Sequence, residues 1–241
     1  MVAKSELKLI RSLQQKKYRQ RHGLFVAEGV KLVGELLASP LEAHSVYATE
    51  PGLIPGSVPI AERELRQASS LVQPNKVLGV FHIPEPGPLS FSDWVLALDG
   101  VRDPGNLGTL IRLCDWFGIG QLLCSPDTVD AYNPKVLQAT MGSIARVRLH
   151  YAPLEETLRG CGVPVYGASM EGQAVGAQTL AGPGVLVMGS ESHGLGEGVR
   201  GLLSATVAIP AFGQAESLNV ATAAAILLYE IRQQGAGSIQ R

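Results

Sequence analysis

Three polar loops in the second half of the chain hold the residue types that could do chemistry. They lie within residues 98–118, 185–196 and 207–230, and in each an apolar run leads into a polar loop near a helix-like stretch. The third loop brings Glu216, Ser217 and Asn219 to the start of an Ala-rich segment. A loop that gathers such groups against a helix start suggests a binding or catalytic site, because loops are otherwise variable in sequence.

The residue types alone leave several interpretations of these loops open. Asn106 could serve a site or could be the N-cap of a helix. Gly189 opens a glycine-containing loop that permits close backbone approach to a ligand, but its spacing fits neither a Rossmann fingerprint nor a P-loop. His193 is attractive as a base because imidazoles titrate near neutral pH. We favour a turn histidine that points to solvent.

The three segments, in this order, resemble the three sequence motifs of the SpoU (TrmH) family of RNA ribose 2′-O-methyltransferases, which belongs to the SPOUT class. The resemblance implies S-adenosylmethionine as the methyl donor and RNA as the acceptor. Methylating a ribose hydroxyl is an in-line displacement at a sulfonium methyl group, so the hydroxyl must be oriented and the donor held in place. Neither a metal nor a covalent intermediate is required, and we expect no metal site.

In the first motif, Asn106 and Arg112 match the Asn and Arg of the family. The resemblance implies that Arg112 activates the ribose hydroxyl. Arginine is a poor literal base because its guanidinium stays protonated. We therefore expect Arg112 to grip a phosphate and stabilise the developing alkoxide, with the proton leaving to phosphate or water. The alternative is a surface arginine on an amphipathic helix.

In the second motif, Glu191 matches the acidic residue of the family, and the resemblance makes it part of the catalytic site. The chain has Ser190 and Ser192 where many relatives have Asn and Gly. These departures leave the hydrogen-bond partners of Glu191 open.

In the third motif, Ser217 and Asn219 match the polar pair at the catalytic pocket of the family. Asn219 could also cap the helix that follows, and the two roles are compatible. The resemblance further implies that Gly189, Ile209 and Leu218 contact the methyl donor, largely through backbone groups.

The apolar pattern around the loops predicts an α/β domain with a mainly parallel sheet covered on both faces. Ligands bind beyond the carboxyl ends of the strands in such sheets, and the three motifs fall at such ends. The resemblance implies the SPOUT catalytic fold with a C-terminal trefoil knot. We predict strands at 95–98, 121–124, 147–151, 163–168, 185–188 and 206–209, and helices at 107–117, 134–141, 154–159 and 218–234.

The preceding residues predict a smaller α/β domain. One helix is expected from a cap at Ser5 to near His22, with strands at 24–27, 46–48 and 77–83 and helices at 30–38 and 62–71. Three prolines and a glycine make residues 84–93 the best linker candidate. The predicted domains are therefore 1–83 and 94–241, joined by 84–93. Residues 17–37 resemble the RNA substrate-binding domain of one SpoU subgroup.

The charge of the chain is unevenly distributed. Seven of its 20 basic residues lie in the first 22 positions, against one acid, although the whole chain has a net charge of −1. This basic segment could be a footprint for the RNA backbone or the solvated face of a helix. Charge alone does not decide between them.

Composition predicts a globular chain, with 46% hydrophobic and 17% charged residues among 241. No apolar run is long enough for a membrane span, and no secretory signal is expected. Three widely spaced cysteines, read as buried small residues, fit a reducing cytoplasm.

We therefore expect a cytoplasmic homodimer that methylates ribose in RNA, with rRNA favoured over tRNA. The alternatives are a tRNA ribose methyltransferase and a non-catalytic RNA-binding or ribosome-assembly protein with the same fold. A small-molecule methyltransferase of another fold lacks support.

Overall fold

The computed structural model describes residues 2–177, 179–180 and 182–235. Within them, no helix combines the length and the apolar character needed to span a bilayer. The helices are α1 (Lys4–Ser12), α2 (Lys16–His22), α3 (Val30–Leu37), α4 (Glu62–Ala68), α5 (Pro104–Trp116), α6 (Pro134–Thr140), α7 (Leu154–Arg159), α8 (Glu197–Arg200) and α9 (Val220–Gly235). The strands are β1 (Leu24–Glu28), β2 (Ala43–Ala48), β3 (Val58–Pro59), β4 (Val77–His82), β5 (Val95–Asp99), β6 (Gln121–Cys124), β7 (Arg148–Tyr151), β8 (Val165–Ala174), β9 (Val185–Gly189) and β10 (Ala205–Ala208).

Residues 2–85 and 130–146 form one compact unit. Its sheet has the strand order β1-β4-β2-β3, in which β4 is antiparallel to both neighbours and β3 is parallel to β2. Helices α1 and α4 bury their apolar faces against this sheet, and that burial supplies most of the stability of a unit this small. The core includes Ile10, Leu13, Leu24, Val26, Tyr47, Leu65, Leu78 and Val80.

The predicted single N-terminal helix is instead two helices, α1 and α2. Ala3 rather than Ser5 is the N-cap of α1, and Gln15, with extended backbone, is the N-cap of α2. Gly23 ends α2 in the left-handed conformation at φ 63°, as glycine commonly does at a helix C-terminus. The break lets Leu13 enter the core, where it is 1% exposed.

Arg19 on α2 is one of the seven basic residues of the first 22 positions. It is buried, so it belongs neither to an RNA footprint nor to a solvated helix face. Its guanidinium is buried and forms an ion pair with Asp130, with Nε 2.9 Å from Oδ2. Its Nη1 also donates to the carbonyls of Leu13 and Gln14 at 2.8 and 2.9 Å. These bonds fasten the α1–α2 connection to a segment more than a hundred residues away in sequence.

Residues 130–146 belong to this first unit although they lie between β6 and β7 in sequence. The ring of Tyr132 lies 4.8 Å from that of Phe25, and Gln138 Nε2 donates to the carbonyl of Glu28 at 2.8 Å. The sequence predicts residues 94–241 as one continuous domain, whereas residues 130–146 pack with the first unit. The linker assignment of 84–93 stays a prediction.

The second unit comprises the described residues of 86–129 and 147–235. Its six-stranded sheet has the order β10-β8-β9-β5-β6-β7, and every neighbouring pair is parallel. The parallel sheet is as predicted, and the six predicted strands all form. Strand β8 is longer than predicted. It pairs with β10 up to Gly167, opposite Thr206, and again from Gln173, opposite Val207.

We expect Arg19→Ala to lower the free energy of unfolding of the first unit by roughly 3 kcal/mol, because it leaves the partly buried Asp130 without its cation. Urea titration followed by circular dichroism measures the change. The control is Arg21→Ala on the same helix, at an exposed position, which should shift stability by less than about 0.5 kcal/mol. Equal midpoints for the two variants would contradict the structural role of Arg19.

Candidate active site

The three motif loops leave the same edge of the parallel sheet. Strand β5 ends at Asp99 and the adjacent β9 at Gly189, and these two residues are paired in register. Strand β10 ends at Ala208, with β8 between it and β9. The carboxyl ends of parallel strands meet at one edge, so residues distant in sequence converge there.

Helix α5 begins three residues earlier than predicted, and Asp103 is its N-cap. Asp103 Oδ1 accepts a hydrogen bond from Asn106 N at 2.8 Å, and Pro104 occupies the first helical turn. Proline is favoured there because it has no N–H to satisfy. The interpretation of Asn106 as the cap is therefore wrong, and its side chain is available for other contacts.

Asn219 caps helix α9 and also reaches the other motifs. Its Oδ1 accepts from Ala221 N at 3.0 Å and from Thr222 N at 3.3 Å. Because the amide oxygen faces the helix, the amide nitrogen must face away from it. Nδ2 donates to Asn106 Oδ1 at 2.8 Å and to Glu191 Oε1 at 2.9 Å.

Asn106, Glu191 and Asn219 close a hydrogen-bonded triangle. Asn106 Nδ2 donates to Glu191 Oε1 at 3.0 Å, and that same oxygen accepts from Asn219 and, at 3.4 Å, from Val220 N. The position of Glu191 beside the first amides of α9 is favourable for a carboxylate, since a helix N-terminus carries partial positive charge. One residue from each motif is thus fixed by the other two.

A cavity of about 1110 Å³ lies beside the triangle. Its lining includes the three residues that sequence assigned to the methyl donor, Gly189, Ile209 and Leu218, together with Glu191 and Ser217. Its walls combine apolar side chains with a few polar groups, as small-molecule sites do. Other lining residues are Ser169, Met170, Glu171, Met188, Arg200, Val207, Phe212, Glu216 and Leu227.

Backbone atoms pack closely against two glycines of this unit, and Gly189 is in the lining of the cavity. A Cβ on Gly189 would lie 2.3 Å from the carbonyl carbon of Gly194 and 2.6 Å from Leu195 N. A Cβ on Gly172 would lie 2.8 Å from backbone atoms of Thr206 and Val207. No side chain fits at either place. The loss of β8–β10 pairing just before Gly172 also leaves residues 168–171 to line the cavity.

A second cavity, of about 430 Å³, shares Ser190, Glu191, Gly194 and Val220 with the lining of the first. Asn106, Glu191 and His193 line it, and so does an exposed ion pair between Arg102 and Asp127 at 3.1 Å. Hydrogen bonds from Ser125 and Arg102 lower the pKa of Asp127. Glu191 lines both cavities.

The structure does not bring Arg112 into the triangle. Arg112 is exposed on α5 and lines neither cavity, and its guanidinium has no hydrogen bond or ion pair with any described residue. Ser217 lines the larger cavity from an exposed position. His193 is exposed, as expected.

Sequence reasoning missed three features of this edge of the unit. The Asp-Pro pair at 103–104 was the available signal for the start of α5. The Arg102–Asp127 pair and the wall at 168–171 had no local signal, because both depend on residues brought together by the sheet.

Residues 93–229 match the model of the SpoU rRNA Methylase family, and residues 4–79 match an MRM3-like substrate binding domain. Among curated relatives, the chain is 34% identical to the 23S rRNA (guanosine(2553)-2′-O)-methyltransferase RlmP of Bacillus subtilis, over 92% of this chain and 94% of the relative.

Two solved structures are similar over nearly the whole chain. A protein assigned to the TrmH family of RNA methyltransferases from Porphyromonas gingivalis has a TM-score of 0.89 and 36% identity, covering 97% of this chain and 99% of its own. An AdoMet-bound rRNA methyltransferase from Sinorhizobium meliloti has a TM-score of 0.85 and 28% identity, covering 100% and 97%.

We expect Gly189→Ala to lower the free energy of unfolding by about 1–3 kcal/mol, because the added methyl group overlaps the backbone of Gly194. Gly213→Ala is the matched control, since no atom lies within 4 Å of its Cβ and its φ is outside the left-handed region. Urea unfolding of both variants measures the difference. A neutral Gly189 variant would show that the turn is not closely packed.

Proposed function

The chain belongs to the SpoU rRNA Methylase family, and on that premise we propose that it methylates a ribose 2′-hydroxyl in ribosomal RNA with S-adenosylmethionine as the donor. The observation that carries the proposal is the hydrogen-bonded triangle of Asn106, Glu191 and Asn219, of which Glu191 lines both cavities and Asn106 lines the smaller one. Two pockets that share one polar wall suit a reaction between two bound molecules.

We assign the larger cavity to S-adenosylmethionine. The residues present fit this group, because the cavity combines apolar side chains with a few polar and charged groups, as small-molecule sites do. Glu171, Glu191 and Glu216 line the cavity and suit a sulfonium cation, and Arg200 can donate to a carboxylate. When bound, the cofactor supplies an electrophilic methyl group.

We assign the smaller cavity to the acceptor nucleotide. Asn106 and Asn219 donate hydrogen bonds to Glu191, which lines both cavities. These bonds hold its carboxylate in one orientation before either molecule binds. Fixed polar groups accelerate a displacement because their reorganisation cost is met on folding. We propose that Ser217, on the wall of the larger cavity, completes the polar lining near the transferred methyl group.

We propose that Arg112 acts at a subunit interface. Arg112 and Trp116 are four residues apart on α5, so they share a face of the helix. Trp116 is 83% exposed, and Ile226 and Tyr229 are exposed on α9, which packs against α5. An exposed apolar group of this kind suits a protein interface. A homodimer built on this face would place Arg112 beside the joint between the two subunits, where it could grip an RNA phosphate.

The first unit, by this proposal, holds the RNA. The exposed basic residues Lys16, Lys17 and Arg21 flank the buried Arg19 on α2, and their charges suit contacts with phosphates rather than bases. The alternative substrate, tRNA, requires no change in the catalytic residues. A cytoplasmic location is consistent with the free cysteines Cys114, Cys124 and Cys161.

The trefoil knot also belongs to this proposal.

Isothermal titration should give one S-adenosylmethionine site per chain. The protein should then transfer a labelled methyl group to a transcript of Bacillus subtilis 23S rRNA, with nuclease mapping placing the label on ribose. Methylation of bulk tRNA alone would favour the alternative substrate. Absence of S-adenosylmethionine binding would support a non-catalytic RNA-binding protein.

Arg112→Ala and Arg112→Lys should each lower kcat about 100-fold or more while leaving folding and S-adenosylmethionine affinity unchanged. Lysine cannot reproduce the planar, bidentate grip of a guanidinium on a phosphate. Arg159→Ala, an exposed arginine of the same unit, is the control and should keep its activity. Near wild-type turnover in the lysine variant would refute the guanidinium role.

Light scattering should give twice the chain mass of 25.5 kDa. The double variant Trp116→Glu with Tyr229→Glu should be monomeric, because charges on both helices oppose burial of this face. Val72→Glu, at a fully exposed apolar residue of the first unit, should stay dimeric. A stable, active wild-type species at the chain mass would contradict the dimer.

A further inference from the structure

The smaller cavity is acidic, although the proposed function assigns it to a nucleotide of RNA. Among the described residues, its lining holds four carboxylates and one guanidinium, those of Asp99, Asp103, Asp127, Glu191 and Arg102. This balance of charge repels a phosphate group and favours the N–H donors on the edge of a base. The following inference rests on the proposed function and concerns the base of the acceptor nucleotide.

Three of the four carboxylates hold parts of the unit together. Asp99 Oδ2 accepts from a backbone N–H at 2.7 Å, Asp103 Oδ1 caps α5, and Glu191 belongs to the triangle. The fourth, Asp127, instead accepts from Arg102, with Nη2 3.1 Å from Oδ2, and the two side chains are 53% and 74% exposed. Exposed ion pairs contribute little to stability, so this pair calls for another role.

Buried hydroxyl groups orient the carboxylate of Asp127. Ser125 Oγ donates to Asp127 Oδ1 at 2.7 Å and accepts from Gly100 N at 2.9 Å. Because the one hydrogen of Ser125 Oγ is used on Asp127, Thr128 Oγ1 is the donor in its contact with Ser125 Oγ at 3.0 Å. Ser125 and Thr128 are only 5% and 2% exposed. A buried chain of hydrogen bonds thus fixes an exposed carboxylate in the lining of the cavity.

Both members of the pair keep hydrogen-bonding capacity for a ligand. Oδ1 of Asp127 accepts from Ser125 and Oδ2 accepts from Arg102, and each carboxylate oxygen has two lone pairs. Arg102 uses one of its five N–H groups on Asp127 and has no other hydrogen-bond partner among the described residues. The pair therefore presents two acceptor atoms next to a fork of donors.

Guanine is the base whose edge matches this pattern. Its Watson–Crick edge carries two adjacent donors, N1–H and N2–H, beside the acceptor O6, whereas each other base has a single donor group there next to an acceptor. Hydrogen bonds from Ser125 and Arg102 lower the pKa of Asp127, so its carboxylate is ionised at neutral pH and only accepts. Arginine commonly donates to O6 and N7 of guanine, and proteins read unstacked RNA bases on these edges.

We propose that Asp127 and Arg102 select guanosine as the nucleotide that this protein methylates. Asp127 accepts hydrogen bonds from N1–H and N2–H of the base, and Arg102 donates to O6. With the base held in the smaller cavity, the ribose is left to face the residues that line both cavities, which include Glu191. Asp127 and Arg102 are specificity residues in this assignment, and they take no part in the chemical step.

The test starts with the identity of the methylated nucleotide. Nuclease mapping of the 23S rRNA transcript, after reaction with the full-length protein and S-adenosylmethionine, should place the label on a guanosine. A transcript with inosine at that one nucleotide, made by ligation, lacks only the 2-amino group of the base. Its kcat/KM should be about 10-fold lower than that of the guanosine transcript, the scale for loss of a base contact. Adenosine at the same nucleotide should cost about 100-fold or more, because every proposed contact is lost.

Variants of the pair distinguish base recognition from a structural role. Asp127→Ala should lower kcat/KM for the guanosine transcript by about 10- to 100-fold and should use guanosine and inosine equally well. Asp127→Asn, which keeps the size of the side chain, should show the same loss, because its amide nitrogen donates where the base also donates. Arg102→Ala should slow both transcripts by the same factor, since both carry O6. Glu156→Gln, at an exposed acid of the same unit, is the control and should match the wild type.

S-adenosylmethionine affinity, measured by isothermal titration, should be unchanged in all of these variants. A purely structural role for Asp127 would lower the rates for guanosine and inosine together and leave their ratio as in the wild type.

Methylation of a nucleotide other than guanosine would overturn this inference while leaving the proposed function intact. The same holds if the wild type does not distinguish guanosine from inosine, or if its preference survives in both variants of Asp127. A wild-type protein that transfers no methyl group to RNA would overturn both.

Discussion

The side-chain amide of Asn219 is the interaction on which the candidate site depends. Its oxygen caps α9 and its nitrogen binds Asn106 and Glu191. The two ends of one planar group therefore link the stability of a helix to the geometry of the site. Neither aspartate nor serine reproduces this arrangement, because aspartate has no donor and serine is shorter.

This constraint propagates through the second unit. The cap fixes the start of α9, which carries the exposed Ile226 and Tyr229, and the same residue holds Glu191 on the wall shared by the two cavities. The turn at Gly189 brings the Glu191 loop back against its own strand, with no room for a Cβ. The site thus rests on strand ends and helix caps of the unit.

Much of the sheet could be predicted from the sequence, because short apolar strands separated by helices leave a periodic pattern. Contacts between distant residues could not. The buried pair of Arg19 and Asp130 joins residues 111 positions apart, so the charge pattern alone presented Arg19 as a surface group. Asn106 was a reasonable cap by residue type, but the preceding Asp103 and Pro104 take that place. The convergence of Asn106, Glu191 and Asn219 followed from the resemblance of the motifs, whereas their hydrogen bonds needed the structure.

The most direct test of the central claim is the methyl-transfer rate of Asn219→Asp. The carboxylate keeps the cap of α9, so the variant should fold with near wild-type stability. It cannot donate to Asn106 or Glu191, and it places a second carboxylate beside Glu191. We predict that kcat for the 23S rRNA transcript falls by about 100-fold or more, the scale for loss of a preorganised polar group. A folded variant with wild-type turnover would show that the triangle does not serve catalysis.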